Sequence, residues 1–323
     1  MNKCGATLSM LMLAALGFCA AQGTPSTPTS IVATASQPIE VPPFFFFGES
    51  QCDSDGKMYF HTYRSGYSTA EIFELAKDGN TGKFVRPTGK FADPAVYEFI
   101  DFWVSGDGNL SVLVGSIGHA YTIEFDKNGT MKDPVSLDIP GDVQLSNFAI
   151  FDNGYMLVAG AYRFKNASHR QGQSYQAILN PSGGVTRELS ISLPDFNFDT
   201  PGLSDGGVAS ARGNLYFLGP DRIAVISPAG EVVRKLPFHK PDPKSIATKI
   251  YLAGAMVVVG LNVETKANAP LSRRFLVLDE STGEARGYYQ SPSWYDVCLT
   301  REQELVFLDP EQNKQKIVTA RIW

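Results

Sequence analysis

Six short stretches of this chain share a turn residue, any residue, then Leu or Met opening a β-rich run. Counting back nine residues from each Leu or Met gives Glu49, Asp101, Asn147, Gly206, Ala247 and Asp296, with Asp205 beside Gly206. Four of the six repeats thus carry an acidic or amide side chain at the equivalent position, and a fifth carries Asp205 beside it. Oxygen ligands brought together this way suit a hard cation such as Ca²⁺. They could also hold a carboxylic acid at raised pKa for proton transfer. Turn chemistry is the competing reading, because Asp and Asn favour strand starts. Two long connections, "AYRFKNASHRQGQS" (161–174) and "NVETKANAPLSR" (262–273), would open on the same side. They bring Arg163, Lys165, His169, Arg170, Lys266 and Arg273, with Arg274 next in the chain. Cations ringing an acidic mouth suit an anionic or polyhydroxy ligand, and long loops over a mouth are commonly binding elements.

Other motifs carry less. "GLSDG" (202–206) is formally G-x-S-x-G, but a strand and turn follow Ser204 where a nucleophile elbow needs a helix. His61, His119, His169 and His239 lack metal-ligand spacing. "NLS" (109–111), "NGT" (128–130) and "NAS" (166–168) fit the glycosylation pattern, the first two in tight turns.

The elements that would position these residues come from the repeat. "SDGKMYF" (54–60) is echoed by "GDGNLSVLV" (106–114), "FDNGYMLVAG" (151–160), "ARGNLYFLG" (211–219), "LAGAMVVVG" (252–260) and, in degenerate form, "REQELVFLD" (301–309). The turn position is Gly56, Gly108, Gly154, Gly213 and Gly254, with Gln303 in the last copy. A second turn follows each of the first five: "KDGN", "KNGT", "PSGG", "PAGE" and "STGE". Alternating or apolar runs flank both turns, as strands do. Four short strands per unit, six units over, define an all-β, six-bladed β-propeller. "STAEIFELAKDG" (68–79) has helix formers and a capping-box spacing, yet its place in the repeat makes it a strand. The run Phe44 to Phe47 then opens blade one, where both faces of a strand are covered by neighbouring blades.

The last blade offers three strands, "YDVCL", "ELVFLD" and "KIVTARIW", which leaves an edge. "SIVATASQPIEV" (30–41) is expected to supply the fourth strand and close the ring. Cys52 and Cys298 fall in the inner strands of blades one and six, which are neighbours in a closed ring, so a disulfide or two buried thiols are the alternatives. Counted from Met58 and Leu305 the two lie one register apart, which turns them to opposite faces of their blades.

Lys3, the apolar "LSMLMLAALGF" and the small residues of "CAAQ" read as a secretory signal peptide over residues 1–21. A polar leader over 22–38 and the propeller over 39–323 follow. Net charge is −5 with no basic run, which excludes a nucleic-acid footprint. No later stretch reaches the ~18 apolar residues a membrane-spanning helix needs. The chain is expected in the periplasm or outside the cell.

"GESQCDSDGKMYF" (48–60), "LSNFAIFDNGYMLV" (145–158) and "SDGGVASARGNLYFLG" (204–219) resemble blade starts of the gluconolactonase and senescence-marker-protein group, with features shared by NHL-repeat propellers. The resemblance implies a six-bladed propeller with one axial divalent metal, often Ca²⁺, and a general base that activates water to open a sugar lactone. Carried over residue by residue, it implies Glu49, Asn147 and Asp205 as metal ligands. The chain departs from the family in placing Glu49 and Asn147 fewer blades apart. Two functions are expected from the whole: a ligand- or protein-binding module acting through the channel mouth, or a divalent-metal-dependent hydrolase of the lactonase kind.

Overall fold

The computed structural model describes residues 27–39, 50–62, 71–84, 98–166, 168–189, 207–263, 272–291, 297–309 and 315–321. The run Phe44 to Phe47 and Ser204 lie outside them. Among the described residues every regular element is a strand.

The N-terminal strands are β1 (Thr29–Ser30) and β2 (Ala35–Ile39). Blade one holds β3 (Ser50–Cys52), β4 (Met58–Thr62), β5 (Glu71–Leu75) and β6 (Thr81–Phe84). Blade two holds β7 (Glu98–Val104), β8 (Leu110–Ser116), β9 (His119–Phe125) and β10 (Val135–Leu137). Blade three holds β11 (Val143–Ile150), β12 (Met156–Tyr162), β13 (Ser174–Leu179) and β14 (Val185–Glu188). Blade four holds β15 (Val208–Ala211), β16 (Asn214–Leu218), β17 (Arg222–Ile226) and β18 (Val232–Pro237). Blade five holds β19 (Ile246–Ala253), β20 (Met256–Val263), β21 (Ser272–Asp279) and β22 (Ala285–Gln290). Blade six holds β23 (Val297–Leu299), β24 (Glu304–Asp309) and β25 (Gln315–Arg321). The inner strands β3, β7, β11, β15, β19 and β23 touch in that order and then return to β3, closing a ring of six blades.

The N-terminus completes the last blade: β2 runs antiparallel to β25, with Ala35 opposite Thr319 and Ile39 opposite Gln315. Within the stretch read as a polar leader, β1 also pairs parallel with β22 as a fifth strand of blade five. The segment therefore spans two blades before the first begins.

Turn geometry follows the repeat. Gly56 has φ 85°, and Gln303, the degenerate equivalent, takes φ 64° despite its side chain. The side chain three residues before several of these turn positions caps the turn. Asp53 Oδ1 accepts from the amides of Asp55 and Lys57, each at 2.9 Å. Ser105 Oγ accepts from Asn109 N at 3.0 Å, and Thr300 Oγ1 from Glu304 N at 3.1 Å.

Neighbouring blades bury both faces of each sheet. Along β20, Val257, Val258 and Val259 are all fully buried. Val257 and Val259 pack with Tyr216, Ile223 and Val225 of blade four, while Val258 packs with Leu305 and Phe307 of blade six. Each such side chain removed from water contributes roughly 1.5–3 kcal/mol. Segment 71–75, helical by local propensity, pairs residue by residue with β4, Glu71 opposite Thr62 and Leu75 opposite Met58. Burial of Ile72 and Leu75 between blades outweighs that propensity.

Blade one meets blade six through a disulfide. Cys52 and Cys298 are bonded, with Cα atoms 5.7 Å apart. Cys52 lies opposite Met58, and Cys298 opposite Val306. Met58 and Val306 both belong to the apolar cluster between these blades. The face that one blade turns to its neighbour is opposite to the face that neighbour turns back. A register offset of one is therefore what joins the two cysteines.

Candidate functional site: the channel and its turn-side mouth

The inner edge of each inner strand has no further strand to pair with, so side chains must satisfy it. Gln51 does this between blades one and two: its Oε1 accepts from Val104 N at 2.8 Å, and its Nε2 donates to Phe102 O. Asp101 does it between blades two and three. It is 1% exposed; Oδ1 accepts from Phe102 N at 2.8 Å, and Oδ2 from Phe148 N at 3.0 Å. A β-bulge precedes Asp101, and a matching one precedes Asn147, which is half-buried. Asp152 links blades three and four, accepting from Ser210 Oγ at 2.7 Å and Gly213 N at 2.8 Å.

On the turn side this linkage runs further round the ring. Arg301 of blade six donates its amide to Ser54 O at 2.8 Å and Nη2 to Ser54 Oγ at 2.8 Å; Ser54 N donates to Gly106 O at 3.1 Å. Between blades four and five, Glu280 is buried. Its carboxylate accepts from Arg212, from Arg234 Nη2 at 3.0 Å and from Tyr216 O–H at 2.5 Å. Burial, and then the Glu280 carboxylate, push the Tyr216 phenol up to about 12.

A cavity of about 510 Å³ occupies the channel. Its walls include the later residues of the inner strands and first-turn residues such as Asp53, Ser54, Asp107, Asp152 and Ser210, and it extends outward along blade two past Thr122, Glu124 and Val135. It lies toward the end where inner strands finish, and neither Asp101 nor Asn147 lines it. Among the carboxylates in its wall, Asp53 and Asp107 bind their own turns, Asp152 the next blade, and Glu124 pairs with Lys132 within blade two. Burial raises the Asp53 carboxyl above its ordinary pKa, against the two amides that hold it down. Toward the inner end, Lys249 of blade five reaches past blade six and donates Nζ to Ser50 Oγ of blade one at 3.1 Å. Ser50 is buried, and both residues line the cavity with Cys52.

Glu49, Asp205 and Asp296 lie outside the described residues. Ala247, reached by the same count, is displaced because turn lengths differ. Met156 pairs with Ile150 across a five-residue turn, whereas Met256 pairs with Ala253 across two residues. The blade-five bulge falls between Ala247 and Lys249, so Lys249 is the blade-five counterpart of Asp101 and Asn147. The rim residues engage their own surroundings. Arg163 Nε bonds Gln144, and the His169 ring stacks on Tyr162 at 3.7 Å. Arg170 is exposed, while Arg273 O accepts from Ser291 N at 3.0 Å. Arg274 Nη1 donates to the Tyr288 hydroxyl at 2.9 Å. Among the described residues, no three His, Cys, Asp or Glu side chains gather closely enough to hold a metal ion. Lys249 was missed because counting from the turn passed over it; the sign that could have found it was one lysine inside the otherwise weakly polar inner strand "IATKIYLA".

Fold and channel together define a six-bladed β-propeller with an axial cavity of mixed polar and apolar lining. No known family profile matches the chain, and no curated protein matches it. Among solved structures, it resembles a protein described as a candidate gluconolactonase, at 10% identity and TM-score 0.51, covering 90% of this chain and 95% of that one. It also resembles regucalcin, a calcium-binding protein of Agrobacterium tumefaciens, at 10% identity and TM-score 0.48, covering 91% and 96%. A third is the Pan2 WD40 domain of Neurospora crassa, at 9% identity and TM-score 0.49, covering 91% and 97%. At such identities the first likeness speaks to the fold, which is the fold that the family resemblance implied; the other two add no argument about function.

Proposed function

We propose that this protein is an exported binding module whose channel holds a small ligand with an anionic or hydroxyl-rich end. The observation that carries this reading is the channel cavity with an ammonium and a hydroxyl, Lys249 and Ser50, toward its inner end. A concave site with few convergent polar groups is the common form of a small-molecule pocket. Export is supported by the N-terminal pattern of Lys3 and the apolar run, and by the Cys52–Cys298 bond, which persists in oxidising compartments.

Thermal melting with a panel of small sugars, sugar acids and dicarboxylates tests the reading. A ligand at a hundred times its Kd stabilises by about 2.7 kcal/mol, a shift of a few degrees. Lys249→Met should cancel the shift. A panel without any stabilising compound, or a shift unchanged in Lys249→Met, rejects the channel as the site. The metal-dependent hydrolase implied by the resemblance rests on Glu49, Asn147 and Asp205. It requires that Ca²⁺ raise and chelator lower the same melting temperature.

A further inference from the structure

We propose that Asn128 is an acceptor site for N-linked glycan on the folded protein, and that Asn109 and Asn166 are not. All three head an N-x-S/T triplet, and only their surroundings distinguish them. Transfer needs the asparagine carboxamide and the hydroxyl two residues on to be reachable together by an enzyme. Ser111, the hydroxyl partner of Asn109, is 9% exposed within β8, covered by neighbouring blades. Asn109 itself is half-buried, and its Nδ2 donates to Asp107 Oδ2 at 3.1 Å. Asn166 is exposed, but its carboxamide ties the loop that contains it. Its Oδ1 accepts from the amides of Ser168 and His169, each at 2.8 Å, and Nδ2 donates to Asp142 Oδ2 at 3.0 Å.

Asn128 stands otherwise. It sits with Gly129 and Thr130 in the turn after β9, and all three are exposed. Gly129 takes φ 80°, so the chain reverses sharply and the triplet stands out from the blade. Asp126 Oδ1 accepts from Asn128 N at 2.9 Å and Thr130 N at 2.8 Å. Asp126 is half-buried and holds the turn through backbone amides, which leaves the Asn128 carboxamide and the Thr130 hydroxyl on the exposed surface of the turn.

The co-reactant class is a polyprenyl-diphosphate-linked oligosaccharide. The Asn128 Nδ2 forms a bond to the anomeric carbon, the anomeric C–O bond to diphosphate breaks, polyprenyl diphosphate leaves, and Nδ2 releases one proton. No oxidation or reduction occurs. In the cell this rests on the export proposed above; the test does not.

The folded, disulfide-bonded protein is incubated with a purified single-subunit oligosaccharyltransferase and its lipid-linked donor, then read by intact mass and glycopeptide sequencing. The expected result is a single added glycan on Asn128, abolished in Asn128→Gln and in Thr130→Ala, and unchanged in Asn109→Gln and Asn166→Gln. The reduced, denatured chain serves as a control for acceptor competence. A folded protein left unmodified while the denatured chain is glycosylated overturns the proposal, as does glycan on Asn109 or Asn166 with Asn128 bare. Neither of those results bears on export, which is read separately from the N-terminus of the mature protein.

Discussion

Removing the Cys52–Cys298 bond should cost this protein several kcal/mol, almost all of it through the unfolded chain. The bond joins residues 246 apart in sequence. In the chain-entropy picture, closing a loop of that length removes about 18 cal/mol/K from the unfolded state, or about 5.5 kcal/mol at 25 °C. Residual structure in the denatured chain lowers that figure, and measured values fall below it, so a loss of about 3–5 kcal/mol is expected. In the folded state little should change, because Met58, Phe60, Val306 and Leu308 still pack across the joint and Arg301 still bonds Ser54. The assay is urea unfolding of three proteins: oxidised, reduced, and Cys52→Ala/Cys298→Ala. With m near 3 kcal/mol/M, the midpoint should fall by roughly 1–1.7 M urea in both altered forms. The slope m should rise as well, since an uncrosslinked chain exposes more surface. The reduced form keeps the sulfur volume at Cys298, which is fully buried, so agreement between it and the Ala variant separates cross-link from cavity. A loss under about 1 kcal/mol in both, or a loss in the Ala variant alone, would refute the reasoning.

Other perturbations read other parts of the ring. His61 is 2% exposed, and burial lowers its pKa to about 4, against about 6.5 unfolded. The unfolded chain therefore binds the proton first, and stability should be lost as pH falls from about 6.5 toward 4, by about 2–3 kcal/mol at pH 4.5; a His61→Gln variant with an equal pH slope would exclude this residue. Gln51→Ala strands the Phe102 carbonyl and the Val104 amide and should cost about 1–3 kcal/mol by urea unfolding, with a loss below 0.5 showing that water replaces the side chain. Glu280→Gln leaves Arg212 and Arg234 facing a neutral group. Because Arg212 is more than half exposed, about 2–3 kcal/mol is expected rather than the larger cost of a fully buried pair, and wild-type stability in the variant would mean the cluster adds nothing net.

The architecture was written in the sequence at the turns. Gly56, Gly108, Gly154, Gly213 and Gly254 all take positive φ, and Gln303 keeps that conformation where glycine is missing. A turn that demands such φ values leaves few residue choices, so it survives when side chains diverge. The same spacing overrode the helical look of Glu71–Leu75 and placed the N-terminal strand against the last blade. Chemistry was harder to read because it depends on register. Two-residue turns in blades four and five replace the five-residue turn of blade three, so a fixed count reached Ala247 while Lys249, the residue after the bulge, holds the equivalent place and enters the channel. The cysteines show the same dependence with the opposite outcome. Their offset of one register puts them on opposite faces of their own blades, which are the faces that two neighbouring blades turn to one another.

A propeller channel has a structural demand that imitates a binding site. Each inner strand exposes a backbone edge toward the axis, and polar side chains that cap it arrive at equivalent positions because blades repeat. Asp101 accepting from Phe148 N and Gln51 from Val104 N are two solutions to that demand, while Asp53 and Asp152 hold turns beside the channel. Acidic residues recurring at matched depths are therefore weak evidence for a metal, since the ring would select them for closure alone. A group whose bond crosses the channel instead of joining adjacent strands is stronger evidence for function. Lys249 meets that criterion, since its ammonium bonds a residue two blades away. Burying an ammonium is costly unless the site compensates it. A Lys249→Met variant that is as stable as the parent or more so, yet no longer responds to ligand, would separate the two roles; a variant that simply unfolds would make Lys249 one more ring fastener.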